Sequence, residues 1–279
     1  MLINTFSHIL GIGPTTEEKL WNNGIRTWKD ALLRPENIGK KALAIQKGIQ
    51  TSIDHLENKN AKYFEDLLPA SQHFRLFPEF RDTCVFLDIE TTGLETTSTI
   101  TTIALYDGGS TRYYVQGKNL DAFLTDIQQY QVIVTYNGKT FDMPFIQKHF
   151  NCQLPHAHID LRYILKSLGF KGGLKKCERA VGIDRQELDG VDGYFAILLW
   201  EEYKKTKNPK ALDTLLAYNI EDVINLETLM VKAYNLKIKD TCFSNSHTIP
   251  EPPKAVNPIK PDKQIIQKLK SAYYQSSYY

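Results

Sequence analysis

Cysteine is scarce and scattered in this 279-residue chain: Cys84, Cys152, Cys177 and Cys242 form no CxxC pair and no set with histidine at zinc-ligand spacing. That excludes a zinc finger and a disulfide framework, and leaves reduced thiols as the expectation. No apolar run approaches the ~18 residues of a membrane-spanning helix. The first residues lack the basic stretch, apolar core and cleavage site of a secretion signal, so a cytoplasmic address away from membranes is expected. Charge of one sign is not in excess either. A net charge of +2 neither demands nor forbids a polyanionic partner, because a local basic face counts for more than the sum. There is no internal repeat. What is present is ordinary for a globular chain: 42% hydrophobic, 24% charged and 11% aromatic residues, enough for one full-sized core and a smaller module.

Residues 1–66 read as a helical module. In "LGIGPTTEEKLWNNGIRTWKDALLR", Thr15 or Thr16 is placed to cap a helix with Glu17 and Glu18 in its first turn. "NNGI" is a break, and a second helical pattern starts at Thr27. "GKKALAIQKGIQTSIDHLENK" has apolar residues at helical spacing and predicts a longer helix. Residues 67–80, with Pro69 and Pro78, read as a linker. Across 81–236 the pattern becomes α/β: "TCVFLDIE", "STITTIALYDGG" and "STRYYVQG" predict three adjacent strands, with "DGGS" as a hairpin turn. Helix "NLDAFLTDIQQY", strand "VIVTYN", helix "DMPFIQKHF" and a short strand at "AHID" then alternate, which suggests crossover units on a mixed sheet, with helices from Leu161 onward. Residues 237–279 form a tail in which five of the twelve prolines fall between Pro250 and Pro261, with a short helix near "DKQIIQKLKSAYY".

Three stretches carry chemistry. In "VFLDIETTGL", alternation puts Asp88 and Glu90 on one strand face and Leu87 and Ile89 on the other. Two neighbouring carboxylates repel and desolvate each other unless a cation such as Mg²⁺ or Mn²⁺ neutralises them, although for the pair taken alone a solvated strand end is the simpler explanation. In "VIVTYNGKTFDMPFI", Asp142 opens a helix, where the helix dipole alone would favour an acid. In "LLAYNIEDVINLETL", Tyr218 and Asp222 are four apart and share a helix face, which could be an exposed one. Taken in order, the three supply four acids and a phenol. Such a set suits two-metal phosphoryl transfer, in which carboxylates hold ions roughly 3.5–4 Å apart and a tyrosine orients the attacking water.

The motifs "FLDIETTGL", "NGKTFDMPFI" and "YNIEDV" resemble those of the DEDD, or DnaQ-like, 3′-5′ exonucleases of the ribonuclease H-like superfamily. Within it the chain is most similar to the YprB-like ribonuclease H-like domain, on Trp200, Tyr203 and "LLAYNIEDVINL", over residues 80 to 234. The resemblance implies a mixed five-stranded sheet flanked by helices. It also implies two Mg²⁺ or Mn²⁺ ions, with Asp88, Glu90 and Asp222 around one, Asp88 shared with the other, and Asp142 supporting it directly or through water. The histidine-using members place that residue five before the last Asp, where this chain has Ala217; the tyrosine users place theirs four before, at Tyr218. Thr91, Thr92, Gly93 and Leu94 follow the acids, and with Asn137, Lys139 and Phe141 they are the candidates for holding substrate. His149, His156 and His158 read as ordinary surface or core residues, and Asp160 as a helix cap or a further acid near the cleft.

"HILGIGPTTEEKLWNNGI" resembles a helix-hairpin-helix element, whose hairpin and helix start present backbone N–H groups to phosphate. Gly11, Gly13 and Lys19 are its candidate nucleic-acid contacts, with Arg26, Lys40 and Lys41 adding charge; a packing hairpin is the alternative. The expected activity is therefore a metal-dependent 3′-5′ exonuclease acting on DNA or RNA with a 3′ end. Its rivals are a nucleic-acid-binding protein without turnover and a structure-specific endonuclease of the same fold.

Overall fold

Alternating apolar residues explain why the central strand is buried on both sides. β1 (Cys84–Thr91) turns Val85, Leu87 and Ile89 into one apolar layer and Cys84 and Phe86 into another. β2 (Ile100–Tyr106) pairs antiparallel with β1, and β3 (Thr111–Val115) antiparallel with β2. The turn joining them is held by Asp107, whose Oδ1 accepts from the amides of Gly109 and Ser110 at 3.0 and 2.8 Å. β4 (Val132–Thr135) runs parallel to β1, and β5 (Ala157–Asp160) parallel to β4, giving the order β3-β2-β1-β4-β5. This is the expected mixed five-stranded sheet flanked by helices. The computed structural model describes residues 1–95, 97–184 and 193–276.

The helices follow in chain order. The N-terminal part holds α1 (Pro14–Asn22), α2 (Trp28–Leu33), α3 (Ala42–Glu57) and α4 (Ala61–Leu67), and short α5 (Phe77–Phe80) leads into β1. Between β3 and β4 lies α6 (Phe123–Asp126); α7 (Asp142–Phe150) joins β4 to β5. After the sheet come α8 (Leu161–Ser167), α9 (Leu174–Ala180), α10 (Gly193–Thr206), the 30-residue α11 (Pro209–Ile238) and α12 (Lys263–Ser276). Phe123, Met143 and Ile146 cover one face of the sheet, while Val223, Ile224 and Met230 of α11 lie in the core against the other. No described helix is long and apolar enough to cross a membrane.

Two local expectations change. The cap of α1 is Gly13 with Pro14 in the first turn, so the helix begins ahead of Thr15 and Thr16; proline's fixed φ and missing N–H suit that position. Residues 70–83, which fall across the expected linker, are helical turns whose Phe74, Leu76, Phe77 and Phe80 are buried. One apolar cluster runs from Phe6, Trp21 and Trp28 through these residues to Phe86 and Tyr234. Other readings hold in detail, as at Thr27, which caps α2 in a reciprocal box: Asp30 N donates to Thr27 Oγ1 at 3.0 Å and Thr27 N to Asp30 Oδ2 at 2.9 Å.

The C-terminal segment is laid back along α11 as an antiparallel strap. Asn235 exchanges two hydrogen bonds with the backbone of Ile249, Lys232 pairs with Glu251, and Lys254 pairs with Glu221. Further on, Asn257 Nδ2 donates to the carbonyl of Ala217 at 2.7 Å and the Asp262 amide meets Thr214 Oγ1 at 2.9 Å. Ile265, Ile266 and Leu269 of α12 then pack with Leu212, Leu215 and Trp200. The backbone before α12 is irregular, as its prolines require, yet it is anchored over nearly the whole length of α11.

Candidate functional site

The acids meet where β1 outruns its parallel neighbour. The ladder between β1 and β4 ends at Phe86 and Val134, while β1 stays paired to β2 through Glu90 opposite Thr102 and, after a register shift, to Thr91 opposite Ile100. The Ile89 amide is thus left without a β4 partner, and Asp142 Oδ1 accepts from it at 3.1 Å. α11 packs across β1 and β2 on the face that carries Asp88 and Glu90. Tyr218, Asn219 and Asp222 lie within about one turn of each other on that helix.

Asp88, Glu90 and Asp222 each bring a carboxylate oxygen within 4.8 Å of the other two. Glu90 and Asp222 are buried and Asp88 half-buried. Asp142, also buried, stands beside this trio at the amide between its two strand members. Burial drives the Asp88 carboxyl well above the usual carboxylate range, and the charges of Asp222, Asp142 and Glu90 push the same way, against a hydrogen bond from Asn219. Asp142 is raised from 3.8 to about 7, first by burial and then by Asp160 and Asp222, although its own amide and that of Ile89 pull it down. A site so expensive to ionise is suited to a hard divalent cation, for which three clustered carboxylates are the appropriate donors.

The loop after β1, the loop after β4, α8 and the segment after it line a cleft of about 810 Å³, whose lining includes none of the four acids. Its lining includes Leu94, Asn137 and Phe141 among the expected substrate residues, and adds the cations Arg162, Lys166 and Lys171. Leu94 is 82% exposed, at the tip of a loop in which Thr91 Oγ1 donates to the Gly93 carbonyl. A Cβ on Gly93 would lie 2.9 Å from Ser98 Oγ, so a larger residue there would require that serine side chain to move. Thr92 bonds Thr99 through backbone and side chain and so faces the loop's own other strand.

Across the cleft, Asn137 sits at φ +69 and Gly138 approaches Thr135 so closely that a Cβ would overlap its hydroxyl. Asp160 secures this turn: its carboxylate accepts from the amides of Asn137 at 2.8 Å, Lys139 at 3.1 Å and Arg162 at 3.0 Å, capping α8 as well. The Asn137 side-chain oxygen is taken by Thr140 and Arg162. Lys139 turns the other way and pairs with Glu65 of α4 at 3.0 Å.

Tyr218 is buried, with the Lys175 ammonium 4.5 Å from its ring centre. His156 and His158 are buried, the second bonded to Thr135 Oγ1 at 2.8 Å, and His149 is exposed. Burial lowers His158 to about 3, so it is neutral. Gly11, Gly13 and Lys19 lie on the surface of the N-terminal helical part, outside the acidic cluster, where Lys41 Nζ donates to the Gly11 carbonyl at 2.7 Å. The residues that reading by motif missed are Asn219, Thr102, Arg162 and Lys175. Asn219 is adjacent to Tyr218 and three before Asp222, so helical spacing alone would have put it on the site face.

A family model described as RNase_H superfamily matches residues 85–234. Among solved structures, the family B DNA polymerase from the hyperthermophilic archaeon Pyrobaculum calidifontis is similar at 14% identity and a TM-score of 0.38, over 56% of this chain and 29% of the polymerase chain. No curated protein matches the chain.

Proposed function

The chain belongs to the RNase H superfamily, and from that premise we propose that it is a divalent-metal-dependent 3′-5′ exonuclease that removes nucleoside 5′-monophosphates from DNA or RNA. The observation that carries this reading is the approach of Asp88, Glu90 and Asp222 to within 4.8 Å, with Asp142 on the amide between the first two. Asp88, Glu90 and Asp222 would hold one Mg²⁺ or Mn²⁺, with Asp88 shared by a second ion that Asp142 supports. Bound there, the pair of ions supplies a water acidic enough to attack at neutral pH and stabilises charge on the leaving oxygen.

The other steps belong to the chain. Tyr218 orients the attacking water by a hydrogen bond from one helical turn before Asp222. Leu94 wedges against the terminal base while Phe141 and Asn137 contact base and sugar from the opposite side of the cleft. The backbone at Thr91, Thr92 and Gly93 follows the nucleotide. Lys139 reaches a phosphate only by leaving Glu65, so Arg162, Lys166 and Lys171 are better placed to neutralise the strand. Gly11, Gly13 and Lys19 hold the nucleic-acid backbone farther from the reacting bond.

The test is digestion of 5′-labelled single-stranded DNA and RNA with Mg²⁺ or Mn²⁺. A ladder of products shortened from the 3′ end, absent with Asp88→Asn, is the expected result. A ladder that survives Asp88→Asn would remove the site, and cutting of a closed circle would establish internal cleavage instead.

A further inference from the structure

Asn219 is fully buried in the middle of α11, and its amide faces Asp88. Nδ2 donates to the Asp88 carboxylate Oδ2 at 2.7 Å and to the Asp88 backbone carbonyl at 3.3 Å. Oδ1 accepts from the hydroxyl of Thr102 at 2.9 Å, and Thr102 is itself fully buried on β2 opposite Glu90. Two acceptors on Asp88 demand a donor, so the chemistry fixes which way the amide points. Thr102 then supplies the proton that the other end of the amide needs. The reach is possible because the cross-strand partner of Asp88 is Ala104, whose methyl leaves the space above the strand open to α11.

A buried amide is costly unless its donors and acceptor are used, and an apolar residue would fill the same place in a helix core without that demand. Every partner recorded for this amide belongs to the strand that carries the acids or to the strand next to it. We propose that Asn219, held by Thr102, is a positioning residue that sets the Asp88 carboxylate in the orientation that receives a divalent cation. The inference rests on the reading of Asp88 as a metal ligand. With the amide in place, one carboxylate oxygen is fixed and rotation about the side chain is stopped; without it, Asp88 is free to turn away from Glu90 and Asp222.

The test reads metal binding without substrate: Mn²⁺ titrated into the full chain and the free ion followed by electron paramagnetic resonance. Asn219→Ala is expected to weaken Mn²⁺ binding by roughly 10- to 100-fold, the usual effect of removing a group that orients a metal ligand. Thr102→Val, which keeps the shape and loses the hydroxyl, should weaken it less, and Thr102→Ser should bind as the wild type does. The nuclease deficit of Asn219→Ala should also shrink as Mn²⁺ is raised, which damage to packing alone would not produce. Wild-type Mn²⁺ affinity in Asn219→Ala would overturn the proposal while the metal reading stands on Asp88→Asn. If Asn219→Ala does not fold by circular dichroism, equal binding by Thr102→Val and Thr102→Ser overturns it. Absence of binding by the wild type, indistinguishable from Asp88→Asn, overturns the metal reading and this inference with it.

Discussion

Asp88 and Asp142 stay protonated in the fold at pH values where a free carboxyl would have ionised, and that has a measurable consequence. Asp142 moves from 3.8 to about 7, so between those values the native chain holds a proton that the unfolded chain has released. Native binding of the extra proton means that stability falls as pH rises through this window. The full loss from a shift of this size is on the order of 4 kcal/mol, and Asp88, also raised, acts in the same sense. With metal chelated, the urea midpoint is expected to drop as the pH rises from about 4 through 7. Added Mg²⁺ or Mn²⁺ should restore the midpoint more at pH 8 than at pH 5, because ligation requires the ionised acids; a midpoint insensitive to both would contradict the coupling. Tyr218→Phe should lower kcat by roughly 10²-fold or more, with the smaller effect on KM, if the phenol orients the attacking water. Steady-state kinetics on a labelled single strand check this.

α11 is the element on which the site depends, and the strap adds to the sheet and α10 in holding it. Asn257→Ala removes the bond to the Ala217 carbonyl, one residue before Tyr218, and should cost about 1 kcal/mol by urea denaturation. At this scale much of the fold was legible beforehand. β1, β4 and the start of α7 announce themselves in short windows by alternation and by an acid at a strand or helix end. The helix "LLAYNIEDVINLETL" carries Asn219, Glu221, Asp222, Asn225 and Glu227 among its apolar residues, and yet it is buried without a break from Thr214 to Glu227. The strap was not legible, since its contacts join an irregular, proline-bearing backbone to residues such as Thr214, 48 positions away, and leave no periodic signal. The pairing of Lys139 with Glu65 was hidden for the same reason, being 74 positions apart. Asn219 escaped notice because an asparagine within a helix carries no local signature of what it will bond.

Across the whole molecule, the N-terminal helices are tied to the helical turns that lead into the sheet by a buried ion pair. Arg75 donates to both oxygens of Glu17 at 2.8 Å, with side-chain exposures of 7% and 1%, and Glu17 also accepts from the amides of Phe6 and Ser7. Arg75→Leu strands a carboxylate in the core and should destabilise the chain by roughly 3–5 kcal/mol. Replacing both partners with apolar residues should cost less than the sum of the single changes, as chemical denaturation of the set would show. The same continuity means that a phosphate-binding role for the N-terminal hairpin is better tested on its surface than by deleting it. Lys19→Glu with Lys40→Glu should weaken nucleic-acid binding at low salt and flatten its salt dependence; an unchanged slope would assign the hairpin to packing. Finally, the helix bearing Tyr218 and Asp222 is enclosed by sheet, neighbouring helix and strap at once. Its amide protons should therefore exchange with deuterium only when the entire chain opens, so that the chemistry is mounted on the slowest-breathing part of the protein.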